Sequence, residues 1–176
     1  MSDPMIIPVG TQHSATDLFN TMNQDIITAL GGATHSITVD GTNVSVFDAF
    51  VDAQAYLGVE AVDAGAPATF ALVHPNDMAY IRKALADSLK YVEAFARSGY
   101  VGSVAGTNLY VSNACTENTV NFATREAATL FVKTGTEVES ERDANTRFNK
   151  VFARKYYLAA LTNDTKAAKI VLPAGI

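Results

Sequence analysis

The sequence contains one cysteine and no long apolar run, and each of these two features argues against one class of protein. A single thiol, Cys115, cannot form an internal disulfide framework and fits a reducing compartment. No apolar stretch approaches the roughly 20 residues that span a bilayer. The start, MSDPMIIPVG, lacks the basic region and apolar core of a signal peptide. We therefore expect neither a disulfide-stapled secreted scaffold nor a membrane-spanning protein.

Basic residues are missing from the first part of the chain, since no lysine or arginine precedes Arg82. They are densest between Arg142 and Lys169. The net charge of -5 argues against a dedicated nucleic-acid-binding protein, because such a protein needs a basic surface to displace phosphate counterions. The uneven charge fits two interpretations: an ordinary solvated surface, or a polarity that orients copies of the chain against one another.

The composition is otherwise that of a globular chain. Apolar residues make up 48% of the 176 positions and charged residues 18%, which is far from the range in which chains stay disordered. This length is sufficient for one domain, or for one domain with an attached lobe.

Two stretches near the N-terminus have helical spacing. We expect the first helix over residues 14–30, with Ser14 or Thr16 as its cap and Gly31 at its end. Its apolar side chains recur every four positions: Leu18, Met22, Ile26 and Leu30. ITV before Asp40 then predicts a short strand and turn, or a hairpin.

The second helix is predicted over residues 45–57. Ser45 and Asp48 have the spacing of a capping box, and Gly58 is expected to end the helix. Its main face is expected to carry Phe47, Phe50, Gln54 and Leu57.

The segment FALVHPND, residues 70–77, predicts a short buried strand that leads into a third helix. Pro75 fits the first helical turn because its fixed φ suits the helix and its missing N–H would have no acceptor there. The apolar stripe continues to about Arg97. A strand-to-helix junction explains this segment, so His74 needs no chemical role.

After Gly99 the pattern becomes that of strands and turns. GYVGSVAGTNLYV predicts two strands around a bend at Gly102–Gly106, and strands are also predicted in FATREAATLFVK, TEVESERD and AAKIVL. KVFARKYYLAAL fits either a strand or a helix, and its β-branched and aromatic residues favour a strand. Helices followed by strands indicate an α+β fold.

A search for catalytic chemistry finds little. The three histidines lie in unrelated contexts and no metal-ligand spacing is present, so no metal and no cofactor are expected. Cys115 and His74 form a conceivable thiol–imidazole pair, but Glu117 lies close to Cys115 in sequence, and a buried structural cysteine is the competing interpretation. No catalytic residue is therefore assigned.

The densest ionic feature lies between Glu137 and Lys155. Carboxylates at alternate strand positions share one face, which indicates either a solvated face or a contact between subunits. The candidate intersubunit contacts are Glu139, Glu141, Arg142, Asp143, Arg147, Lys150 and Arg154.

In their order, these features resemble the major capsid proteins of tailed phages and prophages with the Hong Kong 97 fold. The resemblance rests on the striped helix 14–30, the shorter helix 45–57, the His-Pro-Asn-Asp junction, "GYVGSVAGTNLYVSNAC", and the closing strands that end in "KAAKIV". It implies an axial domain over 40–120 and a peripheral domain over 14–39 and 121–176, with 14–30 as a long spine helix. Residues 1–13 would be a tag or residual N-terminal segment.

The resemblance also implies a function. The chain would be a non-enzymatic structural subunit of an icosahedral head, and it would associate with its own copies into capsomers that enclose DNA. Its partners would be itself and, during assembly, scaffold, portal and head protease, with packaged DNA contacted only non-specifically and no membrane involved. Its location would be the virion, and the host cytoplasm during assembly.

The family pattern includes an N-terminal arm and an extended two-stranded loop before the long helix, and the residues ahead of 14 are too few for these. We therefore expect a monomer or small oligomer, not closed shells, from this chain alone. An encapsulin-like shell protein shares the implied fold. The alternative from another class is a small cytosolic α+β enzyme that uses Cys115 and His74.

Overall fold

The computed structural model describes residues 6–58, 69–89, 102–142 and 149–173. Their regular elements, in chain order, are α1 (Ile6–Leu30), β1 (Ser36–Thr38), α2 (Val46–Leu57), β2 (Thr69–Val73), α3 (Pro75–Leu89), β3 (Ser103–Val104), β4 (Thr107–Val111), β5 (Thr119–Thr124), β6 (Ala128–Arg142), β7 (Asn149–Leu161), a 3₁₀ turn (Asp164–Lys166) and β8 (Ala167–Val171). Helices dominate the first half and strands the second, so the predicted α+β class is confirmed.

The strands of the described residues form a mixed six-stranded sheet and a separate two-stranded hairpin. The order in the larger sheet is β1-β8-β5-β2-β4-β3, and the hairpin pairs β6 with β7. β5 lies between β8 and β2 and is antiparallel to both, whereas β1 runs parallel to β8 and β4 runs parallel to β2. The hairpin is thus inserted in sequence between two neighbouring strands of the larger sheet.

One face of the six-stranded sheet is covered by α2 and α3, whose buried side chains join those of β2, β5 and β8 in one apolar cluster. At its centre the rings of Phe50 and Phe122 meet edge to face, with centroids 5.8 Å apart. The opposite face packs a smaller cluster against the end of α1, made of Leu30, Ala33, Ala123, Ala127 and Ala167. The sheet is therefore buried on both sides near its middle.

The predicted capping of α2 is confirmed. The Ser45 hydroxyl accepts a hydrogen bond from the Asp48 N–H (3.2 Å), and the Asp48 carboxylate accepts one from the Ser45 N–H (3.3 Å). Gly58 ends the helix in the left-handed conformation with φ 62°. α3 likewise begins at Pro75, directly after β2 and His74, as the junction predicts.

The predicted start of the first helix is wrong. α1 begins at Ile6, with Pro8 in its first turn, where a proline is tolerated. Ser14 and Thr16 therefore lie inside the helix and do not cap it, and the Thr16 hydroxyl donates back to the Gln12 carbonyl (2.9 Å). The axial and peripheral boundaries stay a prediction.

Of the two alternatives for residues 36–41, the strand followed by a turn is confirmed, because β1 pairs with β8 and not with a hairpin partner. Two other expectations need correction. On α2 the buried side chains are Val46, Ala49, Phe50, Ala53 and Leu57, whereas Phe47 points outward. The strand predicted in FATREAATLFVK is divided by a turn at Arg125–Glu126 that separates β5 from β6. Its second part continues into the segment predicted as the next strand, TEVESERD, to form the single strand β6, with irregular register between Val132 and Glu137. KVFARKYYLAAL is a strand, as predicted, and the part of the third helix beyond Leu89 lies outside the described residues.

The link between β1 and α2 is organised by one carboxylate. Asp40 Oδ1 accepts hydrogen bonds from the backbone N–H groups of Thr42 (2.9 Å), Asn43 (2.7 Å) and Val44 (2.9 Å). These bonds favour the ionised form and hold the pKa of Asp40 far below its usual value of 3.8. The loop that positions α2 thus depends on a charged Asp40.

In the part of the chain that the structure describes, no helix is long and apolar enough to cross a membrane.

Phe50 and Phe47 allow a matched test of the core. We expect Phe50→Ala, which removes a fully buried ring, to lower the free energy of unfolding by about 3–5 kcal/mol. Phe47→Ala on the exposed side of the same helix is expected to change it by less than about 1 kcal/mol. Urea unfolding followed by circular dichroism measures both, and equal losses would contradict the assigned faces of α2.

Asp40 predicts a pH-dependent contribution to stability. Because its folded pKa lies below its unfolded pKa, the contribution is fully present above the usual value of 3.8 and is lost as the pH falls through the lowered folded pKa. Asp40→Ala should therefore be less stable than the parent chain at pH 7, and the difference should shrink as the pH falls below 3.8. Thermal unfolding from pH 7 to pH 2 measures this, with Asp17→Ala on α1 as the control; a difference independent of pH would contradict the role of the charge.

Candidate assembly surfaces

The hairpin β6–β7 has two different faces. α1 packs along one of them, where the Tyr157 hydroxyl donates a hydrogen bond to Asp25 Oδ2 of α1 (2.6 Å). This bond raises the pKa of Tyr157 above its usual value of 10. Since neighbouring strand residues point to opposite sides, Tyr156 and Leu158 point away from α1. We call the side turned away from α1 the outer face of the hairpin.

The outer face carries large apolar side chains that face solvent. Phe131 lies opposite Leu158 in the register, and Thr134 lies opposite Tyr156. The exposed fraction is 51% for Phe131, 55% for Tyr156 and 61% for Leu158. Phe131 and Leu158 form an apolar pair, and Tyr156 lies beside them on the same face. Such a group of exposed apolar side chains differs from the scattered ones of an ordinary surface and indicates a contact surface.

An ionic cluster follows the apolar pairs along the same face. Arg154 Nε donates to Glu137 Oε2 (2.6 Å), and its Nη2 donates to Glu139 Oε1 (2.9 Å). Arg154 lies opposite Glu137 and Phe152 lies opposite Glu139 in the register. Because the three ionic side chains are about half exposed, their ion pairs add little to the stability of the chain. Their main effect is to fix the positions of the charges on the outer face.

The structure brings together only part of the predicted contact set. Glu139 and Arg154 lie on the outer face, and Glu141 is exposed two positions beyond Glu139 on β6; their contact with another subunit stays a prediction. Arg142 and Lys150 lie in β6 and β7 near the hairpin tip, although their side chains are not described. Asp143 and Arg147 lie outside the described residues, as do the other residues from 144 to 148.

The apolar half of this surface is not among the residues predicted from the sequence; it comprises Phe131, Phe152, Tyr156 and Leu158. The signal was present as an alternation in FARKYYL, where one set of alternate residues is Phe152, Arg154, Tyr156 and Leu158. Alternation does not say which set of side chains is buried when both sets contain aromatic residues. Only the position of α1 assigns the outward set.

The strand-to-helix junction does not form the thiol–imidazole pair of the enzyme alternative. The ring of His74 lies 3.7 Å from Glu117 and accepts a weak hydrogen bond from the Asn76 N–H (3.3 Å). Among the described residues, no bond joins His74 to Cys115. Cys115 is 5% exposed, and burial together with the charge of Asp77 raises its thiol pKa, which is the reverse of what a nucleophile requires.

A shallow groove of about 330 Å³ lies at the start of α3 and is lined by Asp77, Tyr80, Lys83 and the turn at Glu117–Asn118. Asp77 Oδ1 accepts the N–H of Asn118 (3.1 Å), which holds that turn with φ 60° at Asn118. Within the described ranges, no three side chains of the His, Cys, Asp and Glu types are grouped so as to hold a metal ion. The groove therefore contains the hydrogen bond that holds the turn before β5, and its described residues do not form a metal site.

Comparison of this fold with solved structures finds structures of phages and their capsids. The chain superimposes on a structure of Mycobacterium phage Che8 with a TM-score of 0.71 at 17% identity over 91% of its length. It matches the capsid structure of cyanophage P-SCSP1u with a TM-score of 0.70 at 11% identity over 94%, and the mature capsid of bacteriophage PhiM1 with a TM-score of 0.68 at 13% identity over 100%. Neither a protein-family model nor a curated protein matches the sequence itself.

These matches confirm the predicted Hong Kong 97-type fold. The chain spans 61% of the Che8 protein and 66% of the cyanophage protein. At such low identity the likeness establishes the arrangement of helices and strands, so any function requires argument from the surfaces of this chain.

The environment of Cys115 gives a direct test of the enzyme alternative. Because the thiol is buried and its pKa is raised, we expect alkylation by iodoacetamide at pH 7.5 to be slower by at least about tenfold in the folded chain than in urea. Mass spectrometry of the labelled peptide measures the rate. Rapid alkylation of the folded chain, abolished by His74→Ala, would instead support an activated thiol.

Proposed function

We propose that this chain is a structural subunit of a phage or prophage head and acts by associating with its own copies. The observation that carries the proposal is the agreement of 91–100% of the chain with phage structures that include two capsids. The hairpin supports it independently, because its outer face combines exposed aromatic residues with an oriented ionic cluster. We infer that the chain is not an enzyme.

The mechanism of such a subunit is many weak contacts repeated by symmetry. An exposed ion pair contributes about 0.2–1 kcal/mol, so the cluster at Arg154 would mainly set the register between copies. Burial of the apolar pairs would supply the larger favourable term, at about 25 cal/mol for each Å² removed from water. Repetition of one interface around a ring then gives a closed capsomer without any deep binding site.

We further propose a division into peripheral and axial parts. α1 and the hairpin, within residues 14–39 and 121–176, would form the peripheral domain, with α1 as the spine. Residues 40–120, which contain α2 and α3, would form the axial domain. β5 and β8 share one sheet with β2 and β4, so the two parts would move as a unit.

The proposal also includes partners other than the chain itself. Scaffold, portal and head protease would act on the assembling shell in the host cytoplasm, and the mature location would be the virion. Packaged DNA would be contacted only non-specifically, since the chain carries a net charge of -5. An encapsulin-like shell is a variant of this function that uses the same kind of self-association.

The outer face of the hairpin can be tested by substitution. We expect the double variant Tyr156→Ser and Leu158→Ser to weaken self-association by about tenfold or more, because it removes the apolar part of the contact. Sedimentation velocity over a range of concentrations measures the association constant.

The control for this test is Phe19→Ser on α1, which removes a ring with similar exposure outside the hairpin. Circular dichroism checks that each variant is folded. The proposed self-association through the hairpin would be wrong if the parent chain stays monomeric at every concentration. The assigned surface would be wrong if the control weakens association as much as the double variant.

A further inference from the structure

The helix α2 presents an apolar stripe to solvent. Its buried side is already complete, with Ala49, Phe50 and Ala53 fully enclosed. On the opposite side, Phe47 is 50% exposed and Val51 is 41% exposed, one helical turn apart. Single exposed apolar residues are ordinary, but two in register on one helix form a continuous ridge.

Carboxylates flank this ridge on the same helix. Asp48 and Asp52 are exposed, are four residues apart, and lie beside Val51 on the outer side of α2. We call Phe47, Val51, Asp48 and Asp52 the α2 face. Its helix is held firmly, because the N-terminal end is capped and the Gln54 amide donates to the Ala105 carbonyl and to Thr107 Oγ1. The α2 face is therefore a fixed surface and not a mobile one.

The neighbouring helix presents the opposite charge. α3 packs beside α2 on the same side of the six-stranded sheet, with Ile81 and Leu85 in the shared core. Its exposed side carries Arg82 and Lys83, which are the first basic residues of the chain. Neither forms a hydrogen bond or ion pair with another described residue. The helix layer thus has exposed carboxylates on α2 next to the exposed Arg82 and Lys83 on α3, although α3 also contains Asp77 and Asp87.

We propose that the α2 face of one copy docks against the Arg82–Lys83 side of α3 on the next copy. The aliphatic stems of these basic side chains would cover Phe47 and Val51, and their charged ends would pair with Asp48 and Asp52. We assign a second copy of the chain as the partner because the two surfaces carry opposite charges. Because no basic residue precedes Arg82, the segment that contains α2 has no cation of its own. The exposed basic side chains of α3 in an adjacent subunit would supply the cations.

The geometry of this contact is head-to-tail. Two α2 faces placed against each other would bring four carboxylates together, which disfavours a symmetric dimer. Because the two docking patches are different, each copy can bind one neighbour on each side, and such interfaces generate rings when the rotation closes. The inference rests on the proposed function and names the helices that would form the contact within a capsomer.

Cysteine pairs test this contact without changing its charges. On a Cys115→Ala background, Ala55→Cys lies one turn beyond Val51 on α2, and Ala79→Cys lies one turn before Lys83 on α3; both alanines are exposed. The two variants are mixed in equal amounts and oxidised at low salt. We expect the 55–79 disulfide to form about tenfold faster than the 55–55 disulfide, and the difference to shrink at high salt.

A control pair and a charge exchange complete the design. Asn23→Cys, exposed on α1, replaces Ala79→Cys in the control mixture and should cross-link slowly with position 55. Arg82→Glu with Lys83→Glu should abolish the fast 55–79 cross-link, and adding Asp52→Lys should restore part of it. Asp52 is chosen because Asp48 also caps α2.

The outcomes separate this inference from the proposed function. A chain that self-associates while position 55 cross-links equally with 23 and 79 overturns the α2–α3 contact and leaves the shell function standing. A dominant 55–55 product indicates a symmetric dimer and also overturns it. A chain that is monomeric by sedimentation velocity and forms no cross-link above the control overturns the α2–α3 contact and the self-association through the hairpin.

Discussion

The pairing of β5 with two strands that are distant in sequence is the constraint on which the rest of the structure depends. β5 is antiparallel to β2 on one side and to β8 on the other, and five of its six residues are buried. Val120 and Phe122 face the helix layer, while Ala123 faces the end of α1. A slip of one residue would exchange these sets, and Phe122 would collide with the small side chains that surround the α1 end.

This register also determines where the hairpin lies. The chain leaves β5 at Thr124, turns through Ala127, and returns through the 3₁₀ turn into β8. The N–H groups of Thr162 and Asn163 both donate to the Ala127 carbonyl, at 2.9 and 3.0 Å. The two ends of the hairpin are therefore tied at one point of the sheet, and Tyr157 ties its middle to α1. A hairpin held at both places presents its outer face at a defined angle to the helix layer.

Signals that act over a few residues were sufficient to predict part of this fold. The capping box at Ser45, the glycine stop at Gly58 and the proline start of α3 each involve groups within one helical turn. The partner of β1 is different, because Ile37 pairs with Ile170 and nothing near residue 37 identifies that strand. The same limit applies to the contact surface. Its charged residues can be predicted from the dense charge pattern of the sequence. Its aromatic residues can be predicted only when it is known which side of β7 faces α1.

The absence of an activated group at the junction follows from the same packing. Asp77 is drawn into the interior at the start of α3, where it holds the turn before β5 through Asn118. Burial raises the pKa of the adjacent Cys115 thiol, and the charge of Asp77 raises it further, so the packing that orders the fold also disfavours the thiolate. A catalytic site would need the reverse arrangement, with a cation or helix terminus near the sulfur. The surfaces that the chain exposes on the hairpin and on α2 instead combine apolar side chains with charged side chains held in fixed positions. Surfaces of this kind gain from repetition, because each contact is weak alone and a ring forms the same contact once for every subunit.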